Sequence, residues 1–228
     1  MPNGWPVRLR ARWVRLVARH DATRRLTLDR PVCIIPAMAR TSPSEARQRL
    51  LETADRLFYR HGVRAVGIDT VIAEAGVAKM TLYTHFRSKD DLIVAVLGYR
   101  EEQVLAFFKE AIDRHARRTD RLRAFFAALR EWFGSSDFRG CAFQNAAVEL
   151  ADPGHPGTGF VRGHKRRFTD LIRGFVEESV GSGAAKLVPA IALLVEGAIV
   201  TAVIQGRPGP ATIARDAALK LVESANGM

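Results

Sequence analysis

From Ser42 onward, apolar residues recur at spacings of three and four, and nowhere do they alternate with polar ones over the length of a strand. Ala46, Leu50, Ala54, Leu57 and Phe58 mark a first helix over 44–61. Ser42 is its cap, Pro43 suits its first position, Glu45 completes a capping box and Gly62 ends it. Ile68, Val71, Ile72 and Ala75 give a short second helix stopped by Gly76, and Val77 is a small apolar plug after it. Leu82 and Phe86, four apart, give a third over 78–86. Ser88 caps a long fourth helix from Lys89 to about Arg117, with Asp90 and Asp91 in its first turn. Its inward positions are Leu92, Ala95, Val96, Tyr99, Val104, Leu105 and Phe108. Further helices are expected from Asp120 to Phe133, through 140–150, from about Thr158 to Val180, over 184–205, and from Pro210 to near Ser224. Gly134-Ser135-Ser136, the 152–157 loop, Gly181-Ser182-Gly183 and Gly206-Arg207-Pro208-Gly209 separate them. The fold class is all-α, without internal repeats.

The tight turn at Gly76 and Val77 sets two short helices against each other. With Leu82 and Phe86 inward, Lys79, Met80, Thr81, Tyr83, Thr84 and His85 lie on or near the outer face. A short helix carrying such donors and crossed by another suits the major groove of DNA. The chain thus divides into a three-helix head over 41–92 and a helical body over 93–228.

The run A-E-A-G-V-A-K-M-T-L-Y-T-H-F-R-S-K-D-D-L resembles the DNA-binding signature of the TetR family of bacterial transcriptional regulators. The resemblance is dense from about Leu50 to Leu92. It implies that Tyr83 and His85 touch phosphates, as does Lys89 at the next helix start. Ala78, Lys79, Met80, Thr81 and Thr84 would meet base edges, Lys79 donating to guanine and Met80 or Thr81 packing on a thymine methyl. The bland alternatives are that Tyr83 and His85 pack inside the head and that Lys79 is a solvated charge; for Lys79 a phosphate contact is as open as a base contact. Gly67 departs from the pattern, because many members carry a phosphate-touching Ser or Thr there. The resemblance also implies a homodimer joined by a four-helix bundle from 184–205 and 210–224. Leu187, Ile191, Leu194, Val195, Ile199 and Val203 on one helix, with Ala214, Ala217, Ala218 and Leu221 on the other, supply the apolar faces. The stretch R-G-C-A-F-Q-N-A-A-V-E-L-A-D-P-G-H-P resembles a segment of the effector-binding body in one subgroup of that family.

Charge adds a constraint. The 228 residues are 47% apolar, enough for a sizeable core, and carry a formal +11. Residues 1–40 hold nine Arg against Asp21 and Asp29, a net +7, leaving +4 for the rest. Residues 41–92 hold eight basic and seven acidic groups, a net +1. One head neutralises too few phosphates to bind tightly, so two heads on a palindromic operator are expected. In the extension, Leu9, Trp13, Leu16 and Val17 share one helical face, and Arg8, Arg12, Arg15 and Arg19 the other. Before an ordinary-looking start at Met38, this reads as a disordered or mis-assigned upstream stretch, with a DNA-tracking arm as the rival. Pro31 and Pro36 mark a linker in either case.

Thr23-Arg24-Arg25 has no long apolar run after it, so no secretory signal is expected. Cys33 and Cys141 do not form a disulfide framework, and the chain reads as cytoplasmic; the family resemblance implies a bacterial, nucleoid-associated protein. Leu187–Gln205 nearly has the length to span a bilayer, but Pro189 and Glu196 argue against it, a central carboxylate costing at least ~2.5 kcal/mol.

A small-molecule effector is expected between the body helices. Phe125, Phe126, Leu129, Trp132, Phe143, His164, Phe168 and Ile172 could line its cavity, with Asn145 or Glu149 as polar anchors. Ordinary core is the alternative for each aromatic. Cys141 reads as a small buried apolar residue rather than a sensor. No phosphate loop, metal spacing or nucleophile elbow points to an enzyme, a metal or a cofactor. The function expected is a homodimeric repressor released from its operator by an inducer that shifts the 89–117 helix. An activator, or a helical interaction protein without a small-molecule ligand, is the alternative.

Overall fold

The structure, a computed structural model, describes residues 42–180 and 184–226. The basic extension over 1–40 lies outside the described residues. Nine helices and no strand form among those described. They are α1 (Pro43–His61), α2 (Ile68–Ala75), α3 (Lys79–His85), α4 (Lys89–Asp113), α5 (Arg118–Phe133), α6 (Ala142–Leu150), α7 (Pro156–Val180), α8 (Ala184–Gln205) and α9 (Gly209–Asn226).

Local chemistry sets the boundaries. The Ser42 hydroxyl accepts from the Glu45 N–H at 3.2 Å, and the Glu45 carboxylate accepts from the Ser42 N–H at 2.8 Å. Both halves of the expected box are therefore made. Gly76 ends α2 in the left-handed region, at φ 62° and ψ 42°. Several boundaries differ from expectation. The fourth helix stops at Asp113 rather than near Arg117. A bend follows, closed by the His115 N–H on the Ile112 carbonyl at 3.1 Å, and the Arg121 guanidinium donates to the His115 carbonyl at 2.9 Å. α5 begins at Arg118 rather than at Asp120, which sits in its first turn. α7 starts two residues early, at Pro156, with His155 Nδ1 accepting the Gly157 N–H at 2.9 Å. A side-chain cap and a proline at the first position account for the earlier start.

α4 is the spine. It packs on α1 in the head and on α5 and α7 in the body. One apolar core runs continuously from the head (Leu50, Leu57, Val71, Leu82, Leu92) into the body (Phe108, Phe125, Ile172, Val195). Inside it, Phe125 stands in ring contact with Phe108, Phe126, Phe168 and Phe175, with centroids 5.0–6.0 Å apart.

α8 and α9 correct the expected interface set. Ile191, Val195, Ile199, Ala214 and Ala218 are buried within the chain itself. α8 packs on α7 as well as α9, and α9 packs on α5, so each helix has a core side that the expected list mixed with its outer side. The apolar side chains left open are Leu193, Val200, Val203 and Ile204 on α8 and Ile213 on α9. α8 is long and apolar enough to cross a membrane by length and composition. In the fold, Glu196 takes the Lys165 ammonium at 2.6 Å and a hydrogen bond from Gln144. That pairing names the partner of the one carboxylate in this apolar helix.

Candidate DNA-binding face and body cavity

α3 is held by its two apolar side chains. Leu82 is fully buried and Phe86, just past the helix end, nearly so, with the Arg47 guanidinium 5.5 Å from the Phe86 ring centre. Of the residues between them, the helical period turns Tyr83 and Thr84 outward. Met80 is 75% exposed and Tyr83 41%. Ala78, Lys79 and Thr84 are exposed too, whereas Thr81 and His85 are half-buried. The Thr84 hydroxyl donates back to the Met80 carbonyl at 2.9 Å.

Lys89 stands apart from this group. It is half-buried, its ammonium donates to the Arg64 carbonyl at 3.3 Å, and burial holds its pKa below the ordinary lysine value. Gly67 precedes α2 without a side-chain cap, and a Cβ there would meet nothing within 4 Å. One residue on this face carries no signal in the sequence. Asp69, in the first turn of α2, accepts from the Lys79 ammonium at 3.1 Å. That hydrogen bond, more than the charge beside it, raises the Lys79 pKa. Ten positions apart on two helices, the pair carries no sequence periodicity that would reveal it.

The head is fastened to the body at several points. Asp55 of α1 and Arg100 of α4 form a buried two-pronged pair at 2.6 and 2.7 Å, and the guanidinium lies 4.2 Å from the Tyr59 ring centre. The Tyr59 hydroxyl donates to the Gly140 carbonyl at 3.0 Å and accepts from the Arg139 N–H at 2.9 Å. Glu149 of α6 accepts from the Arg64 N–H at 3.2 Å. Its carboxylate lies so close to Gly62 that a Cβ there would meet it at 2.5 Å, and the φ of 90° also calls for glycine. Arg60 with Asp137, and His155 with Asp90, each 3.1 Å apart, complete the joint.

In the body, a cavity of about 30 Å³ is lined by Trp132, Phe143, His164 and Phe168 from the expected set, together with Arg100, Phe108, Cys141 and Lys165. The other expected residues lie elsewhere. Phe125, Phe126 and Leu129 are fully buried core, their rings and methyls taken up by neighbours. Asn145 and Glu149 line a separate gap of about 20 Å³ at the head–body joint, because their turns of α6 face α1. The polar groups missed were Lys165 and the Glu101 cluster. Glu101 accepts from His164 Nδ1 and from Arg167, each at 2.9 Å. His164 lies flat on Phe143, with ring centres 3.4 Å apart. Burial lowers the His164 pKa to about 4 against the raising effect of Glu101. A carboxylate only accepts, so Nδ1 carries the proton and Nε2 is the acceptor. Among the described residues, no His, Cys, Asp and Glu side chains group as a metal site would need.

An all-helical chain with a helix-turn-helix head, an outward second helix and a helical body defines a DNA-binding regulator class. The sequence model of "Bacterial regulatory proteins, tetR family" matches residues 50–96. A TetR-family transcriptional regulator from Streptomyces coelicolor is 32% identical, covering 80% of this chain and 97% of that one, with a TM-score of 0.75. The chain belongs to the TetR family of bacterial transcriptional regulators. Two further relatives differ in sign. The activator FasR of Mycolicibacterium smegmatis is 35% identical over 85 residues, which are 37% of this chain and 39% of that protein. The repressor KstR2 of Mycobacterium tuberculosis is 25% identical over 136 residues, 58% of this chain and 67% of its own length. The match to FasR thus spans less than half of that relative. TetR-family regulators are soluble, cytoplasmic, dimeric DNA-binding proteins and not enzymes.

Proposed function

We propose that this protein is a homodimeric repressor that holds a palindromic operator through two copies of α3 and is released by a small-molecule effector. The head over 41–92 reads DNA, and the body over 93–228 pairs subunits and senses the ligand. One observation carries the DNA-reading part. Tyr83, Met80 and Lys79 stand in solvent on a helix whose only apolar anchors, Leu82 and Phe86, point the other way. Tyr83 and His85 contact phosphates, and Lys89 helps at the start of α4. Ala78, Lys79, Met80, Thr81 and Thr84 meet base edges.

The dimer forms through 184–205 and 210–224, by way of the outward strip from Leu193 to Ile213. The effector enters beside Trp132, Phe143, His164 and Phe168. Repression is favoured over activation by the likeness to KstR2, whose 136 matched residues are too many for a head alone. The likeness to FasR, over 85 residues, supports activation as the second reading.

The test is a gel-shift titration with the DNA flanking the coding region, against random duplex, at several salt concentrations. Preferential retardation of the flanking fragment is expected. Tyr83→Ala should weaken binding to every duplex by about tenfold, as a lost phosphate contact does, while leaving the order of preference intact. Equal retardation of both fragments by the wild-type protein overturns the local-operator reading. A reporter that falls rather than rises on deletion of the gene would assign activation instead.

A further inference from the structure

Resting on that DNA-reading function, we infer that Asp69 is a specificity-determining residue, which together with Lys79 reads one G·C base pair and suppresses binding elsewhere. The observation is a carboxylate on a surface meant for a polyanion. Asp69 has a side chain 83% exposed, and its ion-pair partner Lys79 is 61% exposed. The two belong to different helices of the head, α2 and α3, and meet at the end where both helices begin. Nothing in the core holds Asp69 there. Val71 and Ala75 make the buried side of α2, and Thr70 beside Asp69 is also open. The edge is accessible, since the Gly67 Cα that precedes it faces empty space.

Two physical consequences follow from docking this edge on DNA. Placed by phosphates, the carboxylate is repelled, and it neutralises the nearest lysine that would otherwise release a counterion. Such a residue weakens attachment to every duplex alike. Placed at base edges in the major groove, it finds a donor. A G·C pair presents two acceptors on guanine, N7 and O6, followed by a donor, the N4 amine of cytosine. An ammonium and a carboxylate held side by side are complementary to that row, Lys79 over guanine and Asp69 over cytosine. Lys79 then donates to guanine and Asp69 accepts from cytosine while the two charges stay beside each other, and the electrostatic penalty survives only at wrong sequences. Specificity arises from a difference between right and wrong sites, and a built-in repulsion enlarges it.

The experiment selects binding sites from a random duplex pool with the full-length wild type, Asp69→Ala and Asp69→Asn, then titrates salt on the selected and random duplexes. Circular dichroism melts confirm that both variants fold, as an exposed first-turn position allows. The wild type should select a motif in which changing one G·C pair per half-site to A·T costs about tenfold. In Asp69→Ala that cost should fall below about threefold. Binding to random duplex should tighten severalfold in both variants, with the salt dependence steeper by about one counterion per head as Lys79 is freed. The following results overturn the inference. They are an unchanged motif with an unchanged specific-to-random ratio in Asp69→Ala, a changed position that is A·T in the wild-type motif, and weaker random binding in both variants. A wild-type protein that selects no motif refutes the DNA-reading function itself, and the inference falls with it. A wild-type motif left intact by both substitutions refutes the inference alone.

Discussion

His164 has Glu101 at 2.9 Å, a neighbour that ordinarily keeps a histidine protonated, yet its pKa is depressed to about 4. Burial wins for a reason visible around it. Glu101 is shared with Arg167, and Lys165 adds a second positive charge beside the ring. A histidine held neutral contributes stability that is fully present above its unfolded pKa near 6.5 and is lost as pH falls toward 4. We therefore expect the protein to lose about 2–3 kcal/mol of unfolding free energy between pH 7 and pH 4.5 from this residue. In His164→Gln that part of the slope should be missing, as read by urea unfolding at both pH values. Parallel losses in both proteins would refute the assignment. His164 as a cavity residue was legible from its place among aromatics. Its neutrality was not, since Glu101 and Arg167 lie 63 and 66 positions away from their partners. The outward position of Tyr83 and Met80 followed from Leu82 and Phe86 being four apart. The pairing of Asp69 with Lys79 depends on how α2 crosses α3, and periodicity does not encode that.

Among elements, the contact between α1 and α4 matters most, because it joins the head to the spine of the body. Its polar core is the Asp55–Arg100 pair, with side chains less than a tenth exposed. Removing one member strands the other charge in an apolar setting. Asp55→Ala or Arg100→Ala should cost about 3–5 kcal/mol in urea unfolding, whereas Asp55→Leu with Arg100→Met should recover much of that loss. A double variant as unstable as the singles would show that the pair, and not its stranded half, supplies the stability. Helix existence was legible nearly throughout, because each apolar stripe carried its own stop: Gly62, Gly76, Gly134, Gly206. The bend at 114–117 was not. Arg114-His115-Ala116-Arg117 contains no breaker, and the turn is imposed by α5 folding back onto α4. Arg100 itself sits beside Tyr99 on a face read as purely apolar, so the salt link stayed hidden.

At the scale of the whole molecule, the open strip on α8 and α9 is the surface through which the dimer is proposed to form. Leu193 and Ile204 are each more than 70% exposed, and an open groove of about 590 Å³ runs past Ala190, Leu194, Ala217 and Leu221. Leu193→Glu with Ile213→Glu should give a folded monomer by light scattering, its melt close to the wild type. Affinity for a two-half-site duplex should drop by about a hundredfold or more, since the second head is no longer tethered. A double variant that stays dimeric would move the interface elsewhere. The general location of this surface was legible from the apolar run. Which side faced out was not, because a helix apolar all round offers no moment to orient it.

The body cavity, at about 30 Å³, has space for little more than a water or two. Any larger guest must therefore prise its walls apart, and one wall is α6, whose opposite end grips the turn at Arg64 through Glu149. On the proposed effector-driven release, occupying the hole and moving the head would be a single displacement seen from two ends. A tight-fitting, stiff molecule would throw that lever further than a floppy one of equal affinity.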